Sequence, residues 1–275
     1  NRLVIDPSDE NHWYACAPSG GLWHSVDAGG HWEVLGVDVL APLGATDVWI
    51  DPSDSDHLWL ATGDGNGGDT YSIGVLETWD AGMTWNPLEL AFEPNQGRRI
   101  HAITPHPSDP MTLLVSTDLG VFKTSNGGTT FDLTLTGLTR DAIWLNDTAV
   151  VAAVEGQGIH KSTDGGNTWS PRTLPEASGM GRIQIAAEAI EPGGIRDTLY
   201  AIAGQFFQQN FLAFWRSTDG GETWEAQITR ITGPNLLGYT VNGADNAGQA
   251  FWDLCIEVDP EDANRVLTGG VNVWE

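Results

Sequence analysis

Basic residues are scarce in this sequence: 12 Lys and Arg face 37 Asp and Glu, a formal net charge of −25. Such a surface repels phosphate backbones and anionic headgroups, so nucleic acid is excluded as a partner and membrane surfaces are poor ones. The charge is spread as Asp through turns with no acidic tail, which fits a secreted protein in a salty medium that screens the carboxylates from one another. Long apolar runs are missing too. No stretch of about 18 apolar residues occurs, which excludes membrane insertion through a spanning helix. Cysteine is limited to Cys16 and Cys255, too few for a disulfide framework in 275 residues, so stability has to come from packing. The chain opens at Asn1 with no basic-apolar leader, which reads as a processed or truncated polypeptide. Gly, Pro, Asn, Asp and Ser interrupt every apolar run after roughly 5 to 8 residues, the length of a strand, so the fold class is all-β.

What the sequence does have is 34 Gly, 13 Trp and an internal repeat. Five turns share one pattern, Ser/Thr-x-Asp/Asn-x-Gly-x-x-Trp/Phe. They are Ser25-Asp27-Gly29-Trp32, Thr78-Asp80-Gly82-Trp85, Thr124-Asn126-Gly128-Phe131, Ser162-Asp164-Gly166-Trp169 and Ser217-Asp219-Gly221-Trp224. Their spacings of 53 (27 to 80), 46 (80 to 126), 38 (126 to 164) and 55 (164 to 219) each suit four short strands with loops. In such a turn the Asp or Asn oxygen accepts backbone N–H bonds and Gly supplies a positive φ, so Asp27, Asp80, Asn126, Asp164 and Asp219 are structural. The aromatic that follows starts the next strand and can fold inward between sheets, worth on the order of 2 kcal/mol.

A second punctuation precedes each turn: Asp6-Pro7-Ser8, Asp51-Pro52-Ser53, His106-Pro107-Ser108, Glu191-Pro192-Gly193 and Asp259-Pro260-Glu261, with Asn146-Asp147 replacing it in the fourth repeat. The order within a repeat is therefore strand A, proline turn, strand B, glycine turn, strand C, Asp turn, strand D. Blades are predicted at about 1–46, 47–97, 98–140, 141–181, 182–245 and, as a half-blade, 246–275. A half-blade leaves strand edges unpaired, so further blades or domains of the same polypeptide are expected to complete the ring.

These repeats resemble the Asp-box, or bacterial neuraminidase repeat, superfamily of β-propellers with four-stranded antiparallel blades, which includes sialidases, xyloglucan-hydrolysing propellers, sortilin and a photosystem-assembly factor. The stretches Ala17-Pro18-Ser19-Gly20-Gly21-Leu22-Trp23, Gly68-Asp69-Thr70-Tyr71-Ser72-Ile73-Gly74 and Gly269-Gly270-Val271-Asn272-Val273-Trp274 look like the large secreted, sortilin-like propellers of Bacteroidetes that carry type IX secretion signals. That resemblance implies a secreted or cell-surface location. It also implies a catalytic Asp in an Arg-Thr-Asp-Ile-Gly-Gly type stretch of the first blade of the xyloglucan-hydrolysing members. The corresponding stretch here, Cys16-Ala17-Pro18-Ser19-Gly20-Gly21, has no carboxylate, and glycoside hydrolysis needs a pair of them.

Strand A lines the central channel in propellers, so its polar and aromatic residues, Arg98, Arg99, His101, Trp144, Arg182, Trp252 and Asp253, are the candidate ligand contacts, with Tyr71 from a loop. Arg98 and Arg99 offer bidentate donors to an anion, or neutralise nearby acids. The loop Gly63 to Tyr71 places Asp64, Asn66 and Asp69 between glycines, which suits either a flexible calcium loop or a turn held by Asx hydrogen bonds. No other cofactor is expected, because no two histidines have metal-ligand spacing. Phe206, Phe207, Phe211, Phe214 and Trp215 form an aromatic cluster that either contacts a neighbouring domain or packs on its own blade. The reading is a binding or scaffold module for protein or glycan ligands. The alternative is a xyloglucanase-like or sialidase-like glycoside hydrolase, and a second alternative is a structural subunit of an extracellular assembly.

Overall fold

A computed structural model describes residues 2–35, 44–190 and 193–275. The chain divides into two compact units, Asn1–Leu133 and Thr134–Glu275.

In the first unit, β1 (Arg2–Asp6), β2 (Asp9–Ala17), β3 (Gly21–Ser25) and β4 (Glu33–Val34) form one antiparallel sheet in sequence order. A second sheet follows in β5 (Ala45–Asp51), β6 (Asp54–Thr62), β7 (Gly74–Thr78) and β8 (Asn86–Ala91). The third is built from β9 (Ile100–Pro105), β10 (Leu113–Thr117), β11 (Gly120–Thr124) and β12 (Asp132–Thr136), and the unit boundary falls inside β12. In the second unit, β13 (Thr139–Trp144), β14 (Val150–Val154), β15 (Gly158–Ser162) and β16 (Ser170–Arg172) form a fourth sheet. The fifth is β17 (Met180–Ala187), β18 (Leu199–Gln205), β19 (Phe211–Ser217) and β20 (Glu225–Thr229). After a four-residue helix, α1 (Ala250–Asp253), the last sheet has three strands, β21 (Cys255–Val258), β22 (Val266–Gly269) and β23 (Val273–Trp274). The half-blade expected at 246–275 is thus a sixth sheet, because the turn after Gly269 lets Val273 pair with Gly269 and Trp274 with Thr268.

The five turns form by one set of local bonds. The Gly29, Gly82, Gly128, Gly166 and Gly221 N–H groups donate to the hydroxyls of Ser25, Thr78, Thr124, Ser162 and Ser217 at 2.9–3.1 Å. Each hydroxyl donates in turn to the Asp or Asn Oδ1, which also accepts the backbone N–H four residues on. All five glycines have φ between +77° and +88°, so a side chain there would strain the backbone. Of the five aromatics only Trp224 is fully buried, at 5 % exposure; the other four are half-buried. Trp169 reaches the preceding sheet, where its Nε1 donates to Thr134 Oγ1 at 3.2 Å.

The proline turns close by the same chemistry: Asp6, Asp51 and Asp259 each accept the N–H two residues on at 2.8 Å. Asn146 does so in the fourth sheet at 2.9 Å. The turn predicted at Glu191-Pro192 lies outside the described residues. Between turns, alternate apolar residues of each strand build the cores, with Tyr14, Leu22, Leu58 and Leu60 in the first unit and Leu199, Ala201 and Trp215 in the second. Both cysteines are free thiols. No helix among the described residues is long and apolar enough to cross a membrane.

Candidate functional site

The first strand of four consecutive sheets carries a β-bulge near its start. Ala45 pairs with Thr62 and Asp47 with Ala61, which leaves Thr46 extra; the same count leaves His101 extra in β9, Arg140 in β13 and one residue of Gly181-Arg182 in β17. A bulge bends the strand and re-aims a side chain, which is why bulges concentrate beside functional sites. One of the sequence candidates, His101, is the extra residue of its bulge, and a second, Arg182, lies in the bulged segment of β17. Arg140 is a third that the candidate set missed, and no local motif marks it.

In the first unit the bulges are covered by the connection between β6 and β7. Gly65 lies so close to the neighbouring strand that a Cβ there would sit 2.7 Å from Thr46 Cγ2 and 2.8 Å from the Ile100 carbonyl, so only glycine fits. The loop closes on itself, with Asp64 N–H to the Thr70 carbonyl at 3.0 Å and Asn66 N–H to Asp64 Oδ1 at 3.0 Å. It is tied outward by Ser72 N–H to the Arg98 carbonyl at 2.9 Å and by Thr70 Oγ1 to the Pro18 carbonyl at 2.6 Å. These bonds bring Tyr71 next to the segment that carries Arg98 and Arg99. Tyr71 is 41 % exposed, and the Arg99 guanidinium carbon lies 5.9 Å from its ring centroid. Arg98 Nη1 stands 3.5 Å from Asp118 Oδ2, and Arg99 N–H donates to Asp118 Oδ1 at 3.3 Å. Arg98 also lines a surface cavity of about 320 Å³ with Glu89, Phe92, Gln96, Phe122 and Phe131.

The calcium candidates Asp64, Asn66 and Asp69 sit in this loop, where Asp64 is 5 % exposed and holds the Asx bond to Asn66. Among the described residues no group of three or more His, Cys, Asp or Glu side chains is placed to hold a metal ion. Where the sequence lacks a first-blade carboxylate, Pro18 uses its carbonyl to anchor Thr70, and Cys16 is buried among apolar side chains, which pushes its thiol pKa well up.

A buried carboxylate at the predicted start of the second blade sits beside the first bulge. Asp47, 2 % exposed, accepts the N–H of Val48 and of Ile103 at 2.9 Å each and meets Arg2 Nη1 at 3.0 Å, so it ties three sheets together. Burial raises its pKa above the usual carboxylate value, against the pull of Arg2.

The second unit treats its candidates differently. Trp144 is 3 % exposed and its carbonyl accepts from Arg196 Nη1 at 2.7 Å, so the predicted ligand contact is core. Arg182, 6 % exposed, donates to the carbonyls of Phe251 and Leu254. Its pKa falls to about 10, through burial first and the like charge of Arg140 second. Arg140 pairs with Glu155 at 3.2 Å and lies 5.5 Å from the Phe251 ring centroid. Trp252 is 53 % exposed on α1, next to half-buried Asp253. Of the aromatic cluster, Phe211 and Trp215 are core at 1 % and 0 % exposure, and Phe206 and Phe207 remain open at 57 % and 91 %.

Five sheets of four antiparallel strands in sequence order and a sixth of three, with one turn chemistry repeated in the first five, define the architecture. This is a β-propeller chain. It is similar over 98 % of its length to an ancestral GH74 enzyme, with a TM-score of 0.71 and 18 % identity, and covers 35 % of that chain. It also matches the GH74 xyloglucanase from Xanthomonas campestris (TM-score 0.52, 16 % identity, 99 % of this propeller and 51 % of that chain). The propeller matches YCF48 from Cyanidioschyzon merolae too (TM-score 0.51, 15 % identity, 98 % and 92 %). In sequence it is 24 % identical over 243 residues to a xyloglucanase from a Paenibacillus species, which covers 84 % of this propeller. The propeller spans about a fifth of that relative's length, 21 %. No family model matches. Enzymes and YCF48 share the fold, so the fold alone does not choose among activities.

Proposed function

We propose that this propeller is part of an extracellular glycoside hydrolase of the xyloglucanase kind, and that its share of the work is to hold the polysaccharide. The observation that carries this reading is the relation to a xyloglucanase along 84 % of the chain. Local chemistry supports it: exposed Tyr71 beside Arg98 and Arg99 offers a ring face and planar donors, the usual means of gripping sugar hydroxyls. The five turns further support placement among Asp-box propellers, and with it secretion.

Cys16 to Gly21 carries no carboxylate, which favours substrate holding over cleavage for this portion and keeps the binding-module reading as the second one. Incubating the full-length protein with xyloglucan separates the two. Release of new reducing ends, lost together with retention on a xyloglucan gel when Tyr71→Ala is made, is the expected result. Retention without release establishes the binding module, and neither overturns both.

A further inference from the structure

A second candidate site lies in the first sheet and stands apart from that reading. The first two sheets share one register around their Asp turns. Tyr14 pairs with His24 as Trp59 pairs with Glu77, and Ser25 and Thr78 open the turns that follow. Asp6 and His12 therefore hold the places of Asp51 and His57.

In the second sheet this arrangement is closed by protein atoms. His57 Nδ1 lies 3.1 Å from Asp51 Oδ2 and its Nε2 lies 3.0 Å from Glu77 Oε1. The Trp59 indole N–H also donates to Glu77, at 3.1 Å. An imidazole set between two carboxylates has an acceptor opposite each nitrogen.

The first sheet keeps the acid on Nδ1 and puts a base where the other acid stood. Asp6 gives Oδ1 to Ser8 and Ser55, and its Oδ2 stands 3.5 Å from His12 Nδ1. A carboxylate there holds the ring proton on Nδ1 and leaves Nε2 as the bare nitrogen, as carboxylates behind metal-binding histidines do. His12 Nε2 faces His24 Nδ1 at 3.3 Å. The Tyr14 hydroxyl, in the row of Trp59, is buried without a partner, so the network that the second sheet completes stays open in the first.

The geometry of this pair suits a metal ion. Two nitrogens on one tetrahedral zinc, each at about 2.0–2.1 Å, lie about 3.3–3.4 Å apart. A contact of 3.3 Å is long for a hydrogen bond. Burial first, and the like charge of His12 second, lower the His24 pKa, which favours the neutral ring that a metal requires. Both rings are within reach of solvent, with the His12 side chain 18 % exposed and His24 half-buried. Glu33, exposed and paired with His24 across β3 and β4, is an acid whose charge acts on that ring. The net charge of −25 raises the concentration of cations near the surface.

We infer that His12 Nε2 and His24 Nδ1 bind a zinc ion that clamps β2 to β3, with Glu33 beside it and water completing the shell. Calcium and magnesium prefer oxygen ligands and do not suit two imidazoles.

The test is calorimetric titration of the chelator-stripped protein at neutral pH with zinc and with magnesium. One zinc should bind, about a hundred-fold or more tighter than magnesium, and His12→Gln and His24→Gln should each weaken it about ten-fold or more. In the unsubstituted protein, the NMR signals of two of the seven imidazole rings should move on adding zinc, a readout that needs no variant to fold. Absence of zinc binding, equal binding of magnesium, affinity unchanged in either folded variant, or shifts in none of the rings or spread over all of them overturns the proposal. Failure to act on xyloglucan bears on the hydrolase reading and leaves this one standing.

Discussion

The two units use arginine in opposite ways. In the first, Arg98 and Arg99 stay half open beside Tyr71 and the single carboxylate of Asp118. In the second, Arg140 and Arg182, raised on the bulges of β13 and β17, are buried and hold down the chain around α1. Arg98 and Arg99 precede β9, whereas Arg140 and Arg182 lie within β13 and β17, and what packs on each pair differs. A glycine-rich loop that packs by its backbone leaves side chains free to meet a ligand, whereas a helix whose carbonyls need donors consumes them.

The largest effect should therefore come from the second unit. Arg182→Met strands the Phe251 and Leu254 carbonyls in a buried place and should cost about 2–4 kcal/mol in chemical denaturation. Arg98→Met removes one partly exposed ion pair and should cost less than about 1 kcal/mol. Equal losses would mean that Arg98 is also a brace.

Acid separates turn carboxylates from the buried one. The Asp80 pKa is lowered to about 2, first by the Thr84 hydroxyl, then by Thr78 and the Thr84 N–H. A lowered carboxylate pKa gives stability that is present above the unfolded value near 3.8 and lost as pH falls toward about 2. Asp47 runs the other way: its pKa is raised by burial, so its ionised form costs stability at neutral pH and that cost is relieved on acidification. In melting curves between pH 5 and pH 2, Asp80→Asn should flatten the loss of stability of the wild type. Asp47→Asn should instead remove a contribution that rises as pH falls. Parallel curves for both variants would break the distinction.

How much of this could be read beforehand follows from the reach of each bond. The turns were legible, since Ser25 to Gly29 or Thr78 to Thr84 closes within a few residues and repeats five times. The blade order followed from them, as did the Asn146 turn that lacks proline. Tyr71 and the two arginines after Gly97 were legible as polar and aromatic groups near strand starts. The burial of Trp144 was not, because it depends on Arg196, 52 residues away in sequence. Nor was the brace by Arg182, which reaches 69 and 72 residues ahead. Nothing local distinguishes Asp47 from an ordinary strand residue, because its partners Ile103 and Arg2 lie 56 and 45 residues away in sequence.

A smaller effect tests the turns against one another. The residue before the turn glycine is Ala28 or Ala81 in the first unit's first two turns, each at φ +54°, and Gly127, Gly165 or Gly220 in the other three. Alanine in that conformation costs about 1–2 kcal/mol, and glycine returns part of the gain by loosening the unfolded chain. Ala81→Gly should thus stabilise by on the order of 0.5 kcal/mol, and Gly165→Ala should destabilise by about 1 kcal/mol. A loss of stability in Ala81→Gly would show that the methyl group packs usefully.

The smallest expected effect concerns the loop over the first-unit bulges. Asp64 already has its Oδ1 on the Asn66 N–H and its own N–H on Thr70, so the turn is closed by protein atoms alone. Millimolar calcium, followed by chelator, should leave the melting temperature unchanged. An ion bound at ten times its dissociation constant adds about 1.4 kcal/mol, which raises the melting temperature of a chain this size by roughly 3–5 °C. A rise of that order, abolished by Asp64→Asn, would mean that Asp64 and Asp69 hold an ion and that the Asx bond is what the loop makes in its absence.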